Sequence, residues 1–267
     1  MREVLIRALS GLLYVTLLLL AIFSLETTYL LVFLGLGMVV LFEFLKLVGI
    51  KSLLPYVFLF TCVAVFCYFK LDRLATLIFL ALTITVNLYL IKNLIRPSER
   101  YITVSQKYAY TVFYIVGGVA FTILLPSYRG EYTSLLVASV FALIWINDTF
   151  AFIVGKSIGK HKLLERISPK KTIEGFVGGL VFCCLASLLF YYFTDLLSLK
   201  LWITIALVTS VFGTLGDLIQ SQLKRQAGVK DSGRIMPGHG GLYDRLDSII
   251  FAAPFLYLFL IVLDYVP

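Results

Sequence analysis

Nine apolar runs, each near the length of a bilayer-crossing helix, account for most of this 267-residue chain. They lie at roughly 4–24, 28–48, 53–69, 74–95, 107–126, 132–154, 174–194, 199–222 and 244–265. A hydrocarbon core ~30 Å thick takes about 20 helical residues to cross, and inside it each backbone N–H and C=O must find a partner within the protein. The expected fold is therefore all-α: a polytopic integral membrane protein with about nine transmembrane helices. Composition agrees, with 60% hydrophobic residues, 14% charged residues and a mean hydropathy of +0.98. Soluble domains run at ~45–50% apolar and ~25% charged.

Lys and Arg concentrate in the cytoplasmic segments of membrane proteins. With the N-terminus on that side, those segments hold Arg2 and Arg7; Lys46 and Lys51; and Lys92, Arg96, Arg100 and Lys107. They also hold Lys156, Lys160, Lys162, Arg166, Lys170 and Lys171, then Lys224, Arg225, Lys230, Arg234 and Arg245. Of 23 Lys and Arg, that leaves Lys70, Arg73, Arg129 and Lys200 for the other face. The asymmetry predicts a cytoplasmic N-terminus, an outward C-terminus and a multi-pass protein of the cell (inner) membrane. Net charge of +8 then reads as topology plus anionic ligands, with no role for nucleic acid. Arg2 and Arg7 precede an apolar run as in a signal peptide, but the run continues to about Ser24 without a small-x-small site, so it is read as an uncleaved first span. Cys62, Cys67, Cys183 and Cys184 sit in apolar segments with no Cys-x-x-Cys or Cys/His cluster, and packing is their expected role.

Three connections are long: about 96–106, 155–173 and 223–243. Residues 1–100 carry no polar constellation and are assigned to helix packing, lipid access or self-association. Residues 101–267, with the cytoplasmic loops 155–173 and 223–243, carry the chemistry. The sequence is silent on oligomeric state, and a homodimer stays open.

The longest polar stretch is Ser221–Asp247, SQLKRQAGVKDSGRIMPGHGGLYDRLD. Lys224, Arg225, Lys230, Arg234 and Arg245 supply cations; Asp231, Asp244 and Asp247 supply anions; Gly233, Gly238, Gly240 and Gly241 supply bare backbone. Such a mixture suits phosphate and hard-metal chemistry: glycine lets backbone N–H groups approach an anion, Lys and Arg neutralise it, and carboxylates hold a cation such as Mg²⁺. Just upstream, Ser210, Thr214, Asp217, Ser221 and Lys224 recur at helical spacing and line one helix face. An aspartate inside a span costs ~2.5–3.5 kcal/mol on insertion scales, so Asp217 is expected to face a wet cavity or a partner. Asp244 and Asp247 share a face at the start of the last span, where negative charge also complements the helix dipole. Asp217, Asp244 and Asp247 are the expected ligands of Mg²⁺, with room for a second cation. His239, in the Gly-His-Gly-Gly turn, divides between a phosphate contact and a turn-stabilising role.

Asn147 and Asp148 close the sixth span, followed by GKSIGKHKLLERISPKKTIEGFVGG. Ser168 is expected to cap the next helix with Pro169 in its first turn, and Gly175-x-x-x-Gly179 to permit close helix packing. Lys170 and Lys171 at that helix start would reinforce an anion site.

The string SxxKRxxxxKDxG, PxHGG, DRxD resembles the signature of the phosphatidate cytidylyltransferase (CDP-diacylglycerol synthase) family. Met236 stands where that family usually shows Leu, Ile or Phe, which keeps the position apolar. The span-end Asp148, the Gly155–Lys162 loop and Ser168–Gly179 extend the resemblance, so that it covers about 145–250. It implies the reaction of CTP with phosphatidate to give CDP-diacylglycerol and pyrophosphate, in phospholipid biosynthesis, at the cytoplasmic membrane surface. Asp217, Asp244, Lys224 and Lys230 are then the expected catalytic groups. Ser221, Arg225, Asp231, His239, Gly240, Gly241, Arg245, Lys171 and Asp148 are expected to bind substrate. A CTP-dependent polyprenol kinase would transfer the γ-phosphate instead. A CDP-alcohol phosphotransferase would need a DGxxAR…GxxxDxxxD arrangement, which this sequence lacks. A transporter would place its polar residues near the midplane, whereas here they sit at span ends.

Overall fold

A computed structural model describes residues 2–70, 72–96 and 102–265. Arg100, one of the expected cytoplasmic cations, lies outside the described residues. The helices are α1 (Arg2–Ile22), α2 (Glu26–Val48), α3 (Leu54–Cys62), α4 (Arg73–Ile95), α5 (Val104–Ala109), α6 (Gly117–Leu124), α7 (Ser134–Ile158), α8 (Ile173–Phe193), α9 (Leu199–Gln226) and α10 (Tyr243–Tyr265). A π-helical segment, Tyr110–Val116, joins α5 to α6, and a 3₁₀ turn extends them into one rod, Val104–Ser127. Among the described residues, eight helices are long and apolar enough to cross a membrane. The third apolar run is helical too, but α3 and its π-helical continuation, Val63–Tyr68, stop short of the other spans. The fold is that of an all-helical, polytopic membrane protein.

Helix ends follow local chemistry. Gly49, at φ +72°, ends α2 by returning its N–H to the Leu45 and Lys46 carbonyls, a left-handed conformation that glycine adopts without penalty. Asp72 caps α4 by accepting from the Leu74 N–H at 2.9 Å, and Thr103 and Gln106 form a reciprocal capping box on α5.

The core sits around the Val104–Ser127 rod and α10. Tyr114, Phe121, Tyr243 and Phe251 are completely buried there, and the Tyr114 and Tyr243 hydroxyls meet at 2.9 Å. Gly118 has no side chain because the backbone and side chain of Ile250 on α10 fill that space. Peripheral α1 instead turns Leu12, Leu13 and Leu20 outward, as a helix facing lipid does.

The 155–173 connection departs from expectation. α7 runs on to Ile158, and an antiparallel hairpin follows, β1 (Lys162–Leu164) paired with β2 (Ser168–Thr172). Ser168 and Pro169 are thus strand residues, and Thr172 caps α8 instead, its Oγ1 accepting from the Gly175 N–H at 3.1 Å. Glu174 holds the hairpin's entry by accepting from the backbone N–H groups of Lys160 and His161. Arg166 ties the hairpin to the bundle by donating to the Leu94 carbonyl at 3.0 Å.

Polar groups collect at the two ends of the bundle. One end carries the hairpin, the C-terminal part of α2 and the α9–α10 connection. At the other, Lys70, Arg73 and Arg129 line a cavity of about 550 Å³, and Lys70 pairs with Glu26 at 2.9 Å.

Candidate functional site

The polar face of α9 is engaged along its length. Ser210 donates to Asn147 Oδ1 of α7 at 2.6 Å, and the Asn147 amide donates to Thr214 at 3.4 Å. One turn on, the Ser221 hydroxyl donates to Asp217 Oδ1 at 3.3 Å, and Asp217 Oδ2 pairs with Lys171 Nζ of β2 at 2.5 Å. Lys224 Nζ then pairs with Asp244 Oδ1 of α10 at 2.7 Å. α9 and α10 come this close because Gly216 leaves room for the Phe251 Cβ and the Asp247 carbonyl.

Lys171 sits in an acidic surround. Burial works against its charge, but Asp217, Asp148 and Asp247 together outweigh it and raise its pKa above the usual lysine range. The hairpin is what delivers this ammonium: β2 runs from Ser168 to the Thr172 cap and projects Lys171 toward α9. Gly155, Gly175 and Gly179 let α7 and α8 pack backbone to backbone beside it; a Cβ on Gly179 would come within 2.7 Å of the Asn147 carbonyl.

Asp244 is the hub of the α9–α10 connection. Its Oδ1 accepts from Lys224 and from Gln220 Nε2 at 3.0 Å; its Oδ2 accepts from the backbone N–H groups of Ser232 and Gly241, both at 2.9 Å, and from the Ser232 hydroxyl at 3.0 Å. The turn between is tight. Met236 N–H donates to the Gly240 carbonyl at 2.9 Å and His239 N–H to the Met236 carbonyl at 3.0 Å, with Gly238 and Gly240 at φ +76° and +87°. His239 Nδ1 lies 2.9 Å from the Ser10 hydroxyl of α1, and Arg245 donates to the His239 carbonyl at 3.0 Å. Burial, with Arg245 and Arg7 nearby, pushes the imidazole below its usual range, which favours the neutral ring at neutral pH.

Two cavities flank this loop. One, about 280 Å³, has walls of Val15, Phe141, Ile144 and Trp145 and a polar end formed by Asp148, His239, Asp244, Arg245 and Asp247. The other, about 620 Å³, is lined by Lys46, Lys230, Asp231, Ser232 and Arg234. Arg225 is exposed and donates to the Val229 carbonyl at 3.4 Å. Among the described residues no three His, Cys, Asp or Glu side chains are already grouped to hold a metal ion. The two carboxylates expected to converge, Asp217 and Asp244, are instead each paired with a lysine.

A family model described as the Cytidylyltransferase family matches residues 5–263. The chain belongs to that family. Among curated cytidylyltransferases, the phosphatidate cytidylyltransferase of Staphylococcus aureus (strain COL) is 51% identical over 123 residues, which is 45% of this chain and 47% of that protein. The phosphatidate cytidylyltransferases of Staphylococcus haemolyticus and Staphylococcus saprophyticus are 49% and 51% identical over 123 and 122 residues. The chain thus spans about half the length of the curated relatives it matches.

Several residues of the candidate site were not singled out in the sequence. Gln220 and Ser232 both bond Asp244, and Glu43, from the half of the chain assigned to packing, accepts from Ser232 Oγ at 3.0 Å. Ser232 was legible as part of the KDSG string; Glu43 stands alone in an apolar run and carries no local signal.

Proposed function

We propose that this chain is a phosphatidate cytidylyltransferase, joining CTP and phosphatidate into CDP-diacylglycerol and pyrophosphate. The observation that carries it is the α9–α10 loop seated between an apolar-walled cavity, whose polar end joins carboxylates to His239 and Arg245, and a cavity lined by Lys46, Lys230 and Arg234. A lipid phosphate and a nucleotide triphosphate make complementary demands. The first cannot leave the bilayer with its acyl chains and the second cannot enter, so the reacting atoms have to meet at the membrane surface. The Phe141–Trp145 cavity suits the glycerol and upper acyl chains; Lys46, Lys230 and Arg234 suit the polyphosphate. Family membership and the names of the relatives support the same substrate pair.

In this reading an oxygen of the lipid phosphate attacks the α-phosphorus of CTP in line. The new P–O bond forms as the bond from the α-phosphorus to the β-bridging oxygen breaks, and pyrophosphate leaves with those electrons. A phosphate monoester has a second pKa near ~6, so the nucleophile is already ionised and no general base is needed. The protein's work is positioning and charge neutralisation. Lys224, anchored on Asp244, and Lys230 face the transferred phosphates; Arg225, Arg245 and His239 border the loop; the Gly240 and Gly241 turn presents backbone.

Mg²⁺ fits the donor type, hard carboxylate oxygen. Asp217 pairs with the Lys171 ammonium, and Asp148 and Asp247 act electrostatically on the same group. A cation taking the place of that ammonium would draw on these carboxylates, though among the described residues they are not gathered into a ligand set. Asp217 and Asp247 are the ligands we favour, with Asp148 beside them. Asp244, expected from sequence as a third ligand, is committed to Lys224 and to the loop backbone. When bound, the cation supplies positive charge against phosphate oxygens.

The test is the purified protein in detergent with phosphatidate, Mg²⁺ and CTP carrying label in either the α- or the γ-phosphate. Label from the α position in lipid is the expected result. Label from the γ position would make the protein a kinase, and no label in lipid would overturn the transferase reading.

A further inference from the structure

Glu43 lies within α2, six residues before the helix ends at Gly49, and only 2% of it is exposed. A carboxylate this deep in an apolar bundle costs several kcal/mol unless its oxygens are satisfied. They are, and by one segment. Oε2 accepts from the Tyr243 N–H at 2.8 Å and the Ser232 hydroxyl at 3.0 Å, and Oε1 from the Leu242 N–H at 3.2 Å. Leu242 and Tyr243 are the residues at which α10 begins, so Glu43 satisfies N–H groups that a helix start leaves unpaired and puts negative charge against its dipole.

The fit extends to the glycines. A Cβ on Gly233 or Gly241 would collide with the Glu43 carboxylate. Ser232 ties the arrangement to the reacting groups: its hydroxyl lies 3.0 Å from both Glu43 Oε2 and Asp244 Oδ2, and Asp244 in turn holds Lys224. Next to it on α2, Phe44 packs edge-on against Tyr243, with ring centroids 5.9 Å apart. One turn from Glu43, Lys46 lines the cationic cavity.

We propose that Glu43 is a positioning residue for nucleotidyl transfer: it anchors the Ser232–Tyr243 segment from the N-terminal half of the chain and so sets Asp244 and Lys224 between the two cavities. The assignment rests on the transferase reading for its kinetic consequence, but not for its structural one.

The test therefore reads both. Hydrogen–deuterium exchange of detergent-purified wild type and Glu43→Gln should show residues 232–243 exchanging about tenfold faster or more in the variant, the size expected when a hydrogen bond to a charged group is lost. Exchange in α7 and α8 should not change. In the transfer assay Glu43→Gln should lower kcat about a hundredfold, with the thermal midpoint within a few degrees of wild type. Glu26→Gln, at the far end of the same helix, should leave kcat unchanged. Ser232→Ala should also lower kcat, and the double variant should lose much less than the product of the two single losses, because both act through Asp244. If Glu43→Gln does not fold, Ser232→Ala carries the exchange measurement, with the same expected acceleration in 232–243. Unchanged exchange in that segment, uniform acceleration throughout, or fully multiplicative losses would overturn the assignment. A wild type that makes no CDP-diacylglycerol, together with the expected faster exchange in Glu43→Gln, would overturn the transferase reading and leave the anchor in place.

Discussion

At the scale of single residues, the site is a set of ammonium–carboxylate pairings across helices. Asp217 holds Lys171 and Asp244 holds Lys224. The two aspartates therefore make different predictions, although both were expected to bind metal. Asp217→Asn keeps the shape but removes the carboxylate charge that faces Lys171, and should cut the rate ~10²–10³-fold while raising the Mg²⁺ concentration needed for half-maximal activity. Asp244→Asn should cost a similar factor with that concentration unchanged and the KM for CTP raised, because Lys224 and the loop lose their anchor. Titrating initial rates with Mg²⁺ for both variants checks this, and the opposite pattern would return Asp244 to the metal. The types of residue involved were legible because Lys, Asp and Gly crowd one polar stretch. Their pairing was not. Lys171 and Asp217 are 46 positions apart, and Glu43 and Tyr243 are 200 apart, so no local pattern announces either contact.

Among the elements, the apolar runs located nine helical stretches of the described residues to within a few residues, eight of them with the length that the bilayer sets and the third, Leu54–Tyr68, shorter. Most misjudged was the 155–173 connection. Ser-Pro-Lys-Lys-Thr looks like a helix cap followed by a first turn, but the cap lies four residues further on at Thr172, and the strand before it pairs with Lys162–Leu164. Strand pairing depends on a partner that a local reading does not see. Glycine packing was legible as spacing, and the structure makes it quantitative. Gly179→Ala places a Cβ 2.7 Å from the Asn147 carbonyl and 2.8 Å from its Oδ1, so α7 and α8 have to separate. Overpacking of this kind costs ~1–3 kcal/mol, and the thermal midpoint should fall by several degrees. Gly35→Ala on α2 meets nothing within 4 Å and should hold or slightly raise it, since alanine favours helix by about 1 kcal/mol over glycine. Thermal unfolding of both variants in one detergent decides it; equal midpoints would show that the α7–α8 contact relaxes freely.

For the whole molecule, the sequence implied a division of charge that the bundle turns into two ends. Lys46, Lys230 and Arg234 line one cavity, and Lys70, Arg73 and Arg129 line another, at opposite ends of the helices that connect them. The two parts of the chain meet at the site, where α1 and α2 reach the α9–α10 loop through Ser10 and Glu43. The cation bias predicts that the hairpin end faces the cytoplasm. Single cysteines at four exposed positions would test it, in a variant lacking Cys62, Cys67, Cys183 and Cys184. Ser157→Cys and Ala227→Cys mark the hairpin end; Glu131→Cys and Asp195→Cys mark the other. On intact cells an impermeant thiol reagent should label Glu131→Cys and Asp195→Cys, and should reach Ser157→Cys and Ala227→Cys only after the membrane is permeabilised. The reverse pattern would turn the molecule over and put the site on the side where CTP is absent, which would also remove the transferase reading. Labelling at all four positions before permeabilisation would mean that the helices do not alternate across the bilayer, against the connectivity that joins the two ends.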